Sequence, residues 1–177
     1  MEIIDSPKEI PQGNNYVYHT TDNLDLRTLH RKGIDNTVQS KKWLYLNKYL
    51  EQVANLENIH VKPNNRGECV FTYPRYNDVY DSKKTVVVID LTKINHNIYR
   101  SSYHTITEIY NEIKNTKTRL PIQIMNKEDI DVENFKVYSK AVDYWERMEK
   151  CSNNINKGGE VLIDGYIKPN AITHVYY

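Results

Sequence analysis

Residues 158–177 read GGEVLIDGYIKPNAITHVYY and carry two short runs rich in β-branched and apolar residues. Such runs are typical of β-strands, so we predict strands at 160–166 and 171–177. Glu160 opens the first strand directly after a pair of glycines. Glycines at such a place allow either a plain turn or a close approach of the backbone to a ligand. Taken alone, Glu160 is a charge at a strand end, and a functional role for it requires partners from other segments.

The rest of the sequence alternates between strand-like and helix-like patterns, which predicts an α+β fold. Strands are expected at 16–21, 67–73 and 85–91, and helices at 24–32, 40–58, 105–113 and 132–150. The run at 85–91 is apolar enough to be buried on both faces. Residues 1–15 are expected to form an irregular lead, and residues 1–177 a single domain.

Two of the predicted helices carry more specific signals. The helix at 24–32 has Asn23 as its candidate N-terminal cap and Gly33 as its candidate C-terminal cap. The helix at 132–150 is amphipathic. Its apolar face is expected to comprise Phe135, Tyr138, Val142, Trp145 and Met148.

Composition and charge exclude several classes of function. The formal net charge is +1, so no overall field draws the protein toward nucleic acid or a membrane. Cys69 and Cys151 are the only cysteines and form no C-x-x-C pattern, so no disulfide framework or zinc site is predicted. The first residues lack the pattern of a signal peptide, and no apolar run approaches membrane-spanning length. We therefore expect a cytoplasmic protein with no membrane partner.

Three segments that are distant in sequence resemble the motifs of one enzyme fold. The first places His19-Thr20-Thr21 before Leu24, Leu29 and Gly33. The second places Phe71-Thr72, with an additional Tyr73, before Pro74-Arg75 and Tyr80. The third is Glu160-Val161-Leu162-Ile163, followed by Pro169 and Ile172. In order and spacing these segments resemble the ADP-ribosyltransferase fold, and most closely the DarT family of DNA ADP-ribosyltransferases.

The resemblance implies a split β-sandwich surrounded by helices and an enzyme that transfers ADP-ribose from NAD. It implies that Glu160 and Arg75 are catalytic. It also implies that NAD is bound by His19, Thr20, Thr21, Leu29, Gly33, Tyr73 and Tyr80, with Tyr80 stacking on the nicotinamide ring and Tyr73 or Tyr76 as alternatives. The acceptor implied is a base in single-stranded DNA, which makes the activity toxic and a macrodomain-type antitoxin a possible partner.

The chemistry gives a reason for these residue types. Breaking the bond between nicotinamide and its ribose passes through a sugar cation, as glycoside hydrolysis does, and a carboxylate such as Glu160 stabilises that charge. Arg75 stays protonated, so we expect it to pair with the NAD diphosphate or to stabilise a deprotonated thymine ring, rather than to remove a proton unaided.

Other functions stay open on the sequence alone. A protein acceptor is the first alternative, and an inactive NAD-binding or interaction module on the same fold is the second. An RNA 2'-phosphotransferase has a related fold, but the sequence has too few of the basic residues that such an enzyme uses.

Overall fold

The computed structural model describes residues 1–21, 25–35, 41–78, 84–115, 128, 130 and 132–177. Within these residues the strands are β1 Glu2–Ile4, β2 Tyr16–Thr21, β3 Val70–Thr72, β4 Thr85–Asp90, β5 Ile98–Ser101, β6 Glu149–Cys151, β7 Glu160–Ile163 and β8 Ile172–Tyr176. The helices are α1 Leu26–Lys32, α2 Lys41–Leu56, α3 Tyr103–Asn115 and α4 Val132–Glu146. The predicted α+β class is confirmed.

The strands form two four-stranded sheets. The first has the order β1-β8-β4-β2 and the second the order β3-β7-β5-β6. β1 runs parallel to β8, and the other pairs of neighbours are antiparallel. The two sheets meet where Tyr18 and Tyr73 exchange backbone hydrogen bonds, each of 2.9 Å. This bridge places the edge strand of one sheet beside the edge strand of the other.

Each face of the second sheet packs against a different core. On β7, Val161 and Ile163 belong to a cluster that also contains Val17, Val87 and other residues of the first sheet. Leu162 points the other way, into a cluster with residues of α2, α3 and α4. Because successive side chains of a strand alternate between faces, Glu160 lies on the same face as Leu162, toward the helices.

The predicted strand at 85–91 is confirmed and is buried on both faces, since every residue from Thr85 to Ile89 is buried. The irregular lead is wrong for Glu2–Ile4, which pair with β8 as the edge strand β1. Strands β5 and β6 were not predicted. Three to four residues with a mixed pattern carry little local signal, and it is pairing across the sheet that fixes them.

The predicted helix at 132–150 ends early, at Glu146. The residues after it turn, and Glu149–Cys151 form β6 against β5, where Glu149 binds Arg100. A run of good helix formers thus becomes a strand, because sheet pairing overrides local propensity. Phe135 was expected in the core and is instead 63% exposed, whereas Tyr138, Trp145 and Met148 are buried.

The segment at 67–73 is also shorter as a strand than predicted, because Arg66–Glu68 form a 3-10 turn ahead of β3.

The first helix is capped by Asp25, whose side chain accepts from the Arg27 backbone N–H at 3.0 Å. Asn23, the predicted cap, lies outside the described residues. Gly33 caps the C-terminus as predicted, with a φ of 76°. No helix among the described residues is long and apolar enough to cross a membrane.

Candidate active site at the junction of the sheets

The three segments singled out in the sequence lie on three neighbouring strands. β2 touches β3 through the bridge of Tyr18 and Tyr73, and β3 pairs with β7 so that Thr72 lies opposite Val161. His19 therefore follows the bridge on β2, and Glu160 precedes Val161 on β7. The fold brings His19, Tyr73 and Glu160 to the same junction although up to 141 positions separate them, from 19 to 160.

Glu160 is buried and strongly held. It is 5% exposed, and both of its carboxylate oxygens accept from Nη2 of Arg66, each at 2.9 Å. Oε2 also accepts from the Tyr144 hydroxyl at 2.8 Å. The carboxylate is thus fixed by an ion pair and a neutral donor, both supplied by the protein.

Arg66 is one of the residues at this site that the sequence did not reveal, together with Tyr144 and Asn47. It lies in the 3-10 turn before β3 and is fully buried. Besides binding Glu160, it donates from Nε to the Tyr144 hydroxyl at 2.8 Å and from Nη1 to the Asn47 side-chain oxygen. Its guanidinium lies 4.7 Å from the ring centre of Phe71, within the range of a cation–π contact.

The charges in this cluster depend on one another. Burial opposes the positive charge of Arg66, but the Glu160 carboxylate and the Tyr144 hydroxyl raise the pKa of Arg66 above its usual value. Burial raises the pKa of Tyr144 well above its usual value. Tyr144 therefore stays a neutral donor, and Arg66 stays charged.

His19 is held as a neutral ring. Burial lowers its pKa, and the hydrogen bond to the Phe71 carbonyl opposes that shift without cancelling it. The bond joins His19 Nδ1 to Phe71 O at 2.9 Å, so Nδ1–H donates and Nε2 keeps its lone pair. A neutral histidine on β2 suits a hydrogen bond to a hydroxyl better than an interaction with an anion.

Aromatic rings surround the junction. Tyr73 and Tyr103 meet edge to face with ring centres 5.2 Å apart, and burial raises the pKa of Tyr73. Trp43 stacks on Tyr110 at 5.0 Å and lies 6.3 Å from Phe71. Of these rings only Tyr73 was proposed from the sequence as a ligand contact. Phe71 lies beside it on β3, whereas Trp43, Tyr103 and Tyr110 lie on helices whose packing against β3 has no local sequence signal.

The remaining residues predicted to bind NAD have different surroundings. Thr20 and Thr21 are half-buried at the end of β2. Leu29 is 1% exposed and packs in the core between the sheets. Gly33 lies against the backbone of Ile167, whose oxygen would be 1.8 Å from an added Cβ. Packing accounts for Leu29 and Gly33 without a ligand. Tyr80 lies outside the described residues.

Arg75 lies at the exit of β3, beside the loop that leads into β7. It is exposed and lines a cavity of about 240 Å³ that also contains four side-chain amides and a lysine. These are Gln12, Asn14, Asn77, Asn156 and Lys157. The backbone of Ile155 donates to Asn14 O at 2.7 Å, which ties the loop before β7 to the lead. Among the described residues Arg75 makes no contact with the Glu160 cluster. The cavity is nevertheless close to the cluster along the chain, because Arg75 follows β3 and Lys157 precedes β7.

The glycine pair before Glu160 borders a second cavity of about 620 Å³, between the start of α3 and the end of α4. Arg100 crosses its edge, donating to the Gly158 carbonyl at 2.6 Å and to Glu149 at 2.8 Å.

No group of histidine, cysteine, aspartate and glutamate side chains suited to a metal ion occurs among the described residues. Comparisons with protein-family models, with curated proteins and with solved structures found no match for this chain.

Proposed function

We propose that this protein is an ADP-ribosyltransferase that uses NAD, with a split β-sandwich of the ADP-ribosyltransferase type. The observation that carries the proposal is the convergence of His19, Tyr73 and Glu160 at the junction of the two sheets. These residues come from the three segments that resemble the DarT family. If the similarity of these short motifs were accidental, there would be no reason for the three segments to meet in the fold.

In the proposed reaction the bond between nicotinamide and ribose C1 breaks, and its electron pair leaves with nicotinamide. A nitrogen of the acceptor base forms the new bond to C1 and releases its proton to solvent. Glu160 stabilises the positive charge that develops on the ribose and holds one of its hydroxyls. His19 Nε2 accepts from another hydroxyl of the substrate, and the ring of Tyr73 packs on the nicotinamide. Only 6% of the Glu160 side chain is exposed, so substrate binding requires neighbouring side chains to move aside.

For the acceptor we propose a base in single-stranded DNA, as in the family that the motifs resemble. The cavity beside Arg75 supports this choice, because side-chain amides present both donors and acceptors, as the edges of bases do. A single strand offers such a base without the free energy needed to open a duplex. An activity of this kind is toxic in the cytoplasm, and a macrodomain-type hydrolase is the antitoxin that would reverse it. A protein acceptor is the alternative within the same chemistry.

A second candidate function is an inactive module on the same fold that binds NAD or a partner. The observation that favours it is that Glu160 already receives bonds from Arg66 and Tyr144 within the protein. A carboxylate used only to neutralise a buried arginine has no catalytic task.

Incubation with labelled NAD distinguishes these functions. The purified protein is mixed with labelled NAD and, in separate reactions, with single-stranded DNA, RNA or protein. The proposal is supported if the unaltered protein labels DNA and the Glu160→Asp variant does not. Aspartate keeps the negative charge, but its side chain is one methylene shorter and holds the carboxylate farther from the substrate. Label on protein alone favours the alternative acceptor. Binding of NAD without release of nicotinamide supports the inactive module.

A further inference from the structure

We infer that Arg66, assisted by Tyr144, is a positioning residue that fixes the Glu160 carboxylate in its catalytic orientation. This inference rests on the proposed function, because a positioning role requires that Glu160 act in a reaction. Arg66 does not follow from the motifs, and the structure places it behind Glu160, fully buried and toward the helices.

Arg66 is held from several directions. Its Nη1 donates to Asn47 on α2, its Nε to Tyr144 on α4, and its backbone N–H to Glu51 Oε1 at 2.9 Å. A planar guanidinium bound at several nitrogens cannot rotate, so the Nη2 that binds Glu160 has a fixed direction. The helices thereby set the position of a carboxylate that stands on a sheet.

Stability alone does not explain the buried ion pair of Arg66 and Glu160. Replacing such a pair by apolar residues of similar volume is often neutral or stabilising. Arg66 is 0% exposed and Glu160 is 5% exposed, so both charges are removed from water. The two buried charges compensate each other. What the arginine adds beyond this compensation is a fixed position for the carboxylate.

The two carboxylate oxygens of Glu160 differ in their hydrogen bonds. Within the described residues Oε2 accepts from both Arg66 and Tyr144, whereas Oε1 accepts from Arg66 only. A carboxylate oxygen has two lone pairs for hydrogen bonding. Oε1 is therefore the oxygen with acceptor capacity left for a ribose hydroxyl, and Tyr144 determines which oxygen that is.

The test compares Arg66→Lys and Tyr144→Phe with the unaltered protein in NAD cleavage with water as acceptor. Because neither residue is placed against NAD, we expect kcat to fall by about tenfold or more in Arg66→Lys, with KM for NAD within about twofold. Tyr144→Phe keeps the ring and the ion pair, and we expect a smaller fall in kcat of about three- to tenfold. Lys140→Gln, which removes a half-buried lysine paired with Glu108, is the matched control and keeps its kcat.

The outcomes separate the two hypotheses. If the unaltered protein does not cleave NAD, the proposed function and the positioning role both fail. If it cleaves NAD and loses this activity in Glu160→Asp, while folded Arg66→Lys keeps its kcat, only the positioning role fails. A rise in KM at constant kcat also overturns it, because Arg66 would then act in binding. Should Arg66→Lys not fold, an unchanged kcat in Tyr144→Phe overturns the inference.

Discussion

The Glu160 carboxylate neutralises a guanidinium that water does not reach, since Arg66 is fully buried and 2.9 Å away. Removing one partner of a buried ion pair leaves the other charge without compensation. We expect Glu160→Gln to lower NAD cleavage by more than about a hundredfold and the free energy of unfolding by about 3 kcal/mol. Nicotinamide release and urea unfolding measure the two effects.

A control separates lost chemistry from lost structure in that variant. Glu160→Asp keeps the negative charge beside Arg66, so we expect it to be more stable than Glu160→Gln while its activity is equally low. Assays run well below the unfolding temperature of each variant compare folded proteins only. Full activity in folded Glu160→Gln contradicts the assignment of a transferase.

His19 gives a prediction about pH. Burial lowers the pKa of His19 in the folded protein below the usual value near 6.5. At a pH between these two values, the unfolded chain binds a proton at His19 and the folded protein does not. Stability from this residue is therefore complete above about pH 6.5 and is lost as the pH falls below it. We expect His19→Gln to show a shallower loss of unfolding free energy in acid, measured by urea unfolding at several pH values. Parallel curves for the two proteins would contradict this account.

The residues of the site differ in how far the sequence reveals them. Glu160 and His19 stand in motifs with a fixed order, so a resemblance identifies them. Arg66 stands in a polar stretch, NNRGE, that predicts a surface turn. It is buried only because α2, α4 and β7 converge on it, and no local pattern encodes that convergence.

The strand that carries Glu160 depends on one of the two glycines before it. Gly159 has a φ of 133°, and a Cβ added there would lie 2.4 Å from the Ser101 carbonyl oxygen on β5. A Cβ added at Gly158 meets nothing within 4 Å. The glycine pair that opens residues 158–177 therefore contains one position fixed by packing and one that tolerates a side chain.

We expect Gly159→Ala to lower the free energy of unfolding by about 2–4 kcal/mol, through backbone strain and the clash with β5. Gly158→Ala is the matched control, with an expected change within about 0.5 kcal/mol. Urea unfolding of both variants checks the prediction. Equal effects at the two positions would show that β5 and β7 are not held as closely as the structure has them.

The elements themselves were predictable to different degrees. β2 and β4 have long apolar or β-branched patterns, and their observed bounds agree with the prediction to within one residue. β6 was predicted as part of a helix, because residues 146–150 are good helix formers. Its strand conformation depends instead on pairing with β5, in which Arg100 and Glu149 are 49 positions apart in the sequence. Local pattern thus predicts the elements that bury the most apolar surface and fails where a distant partner decides.

Among the described residues the two sheets meet at the backbone bridge of Tyr18 and Tyr73, and the candidate site lies beside this bridge. The helices α2 and α4 contribute Asn47 and Tyr144, the first sheet contributes His19, and the second contributes Glu160. With a formal charge of +1, the nucleic acid partner that we propose would be attracted by local groups rather than by the protein as a whole. Arg75, which lines the smaller of the two cavities at the site, is the group that the proposal uses for this.

Arg75 distinguishes binding of the acceptor from binding of NAD. Since it lies beyond Tyr73 on the chain and lines the cavity with the side-chain amides, we expect Arg75→Ala to lower transfer to single-stranded DNA by about tenfold or more and NAD hydrolysis by less than about twofold. Arg31→Ala, at an exposed position on α1, is the control and leaves both reactions unchanged. Transfer to DNA should also weaken only shallowly with salt, with a logarithmic slope of about −0.7 for each phosphate contact. An equal fall of both reactions in Arg75→Ala would instead assign this arginine to NAD, because loss of a contact shared by both reactions slows both alike.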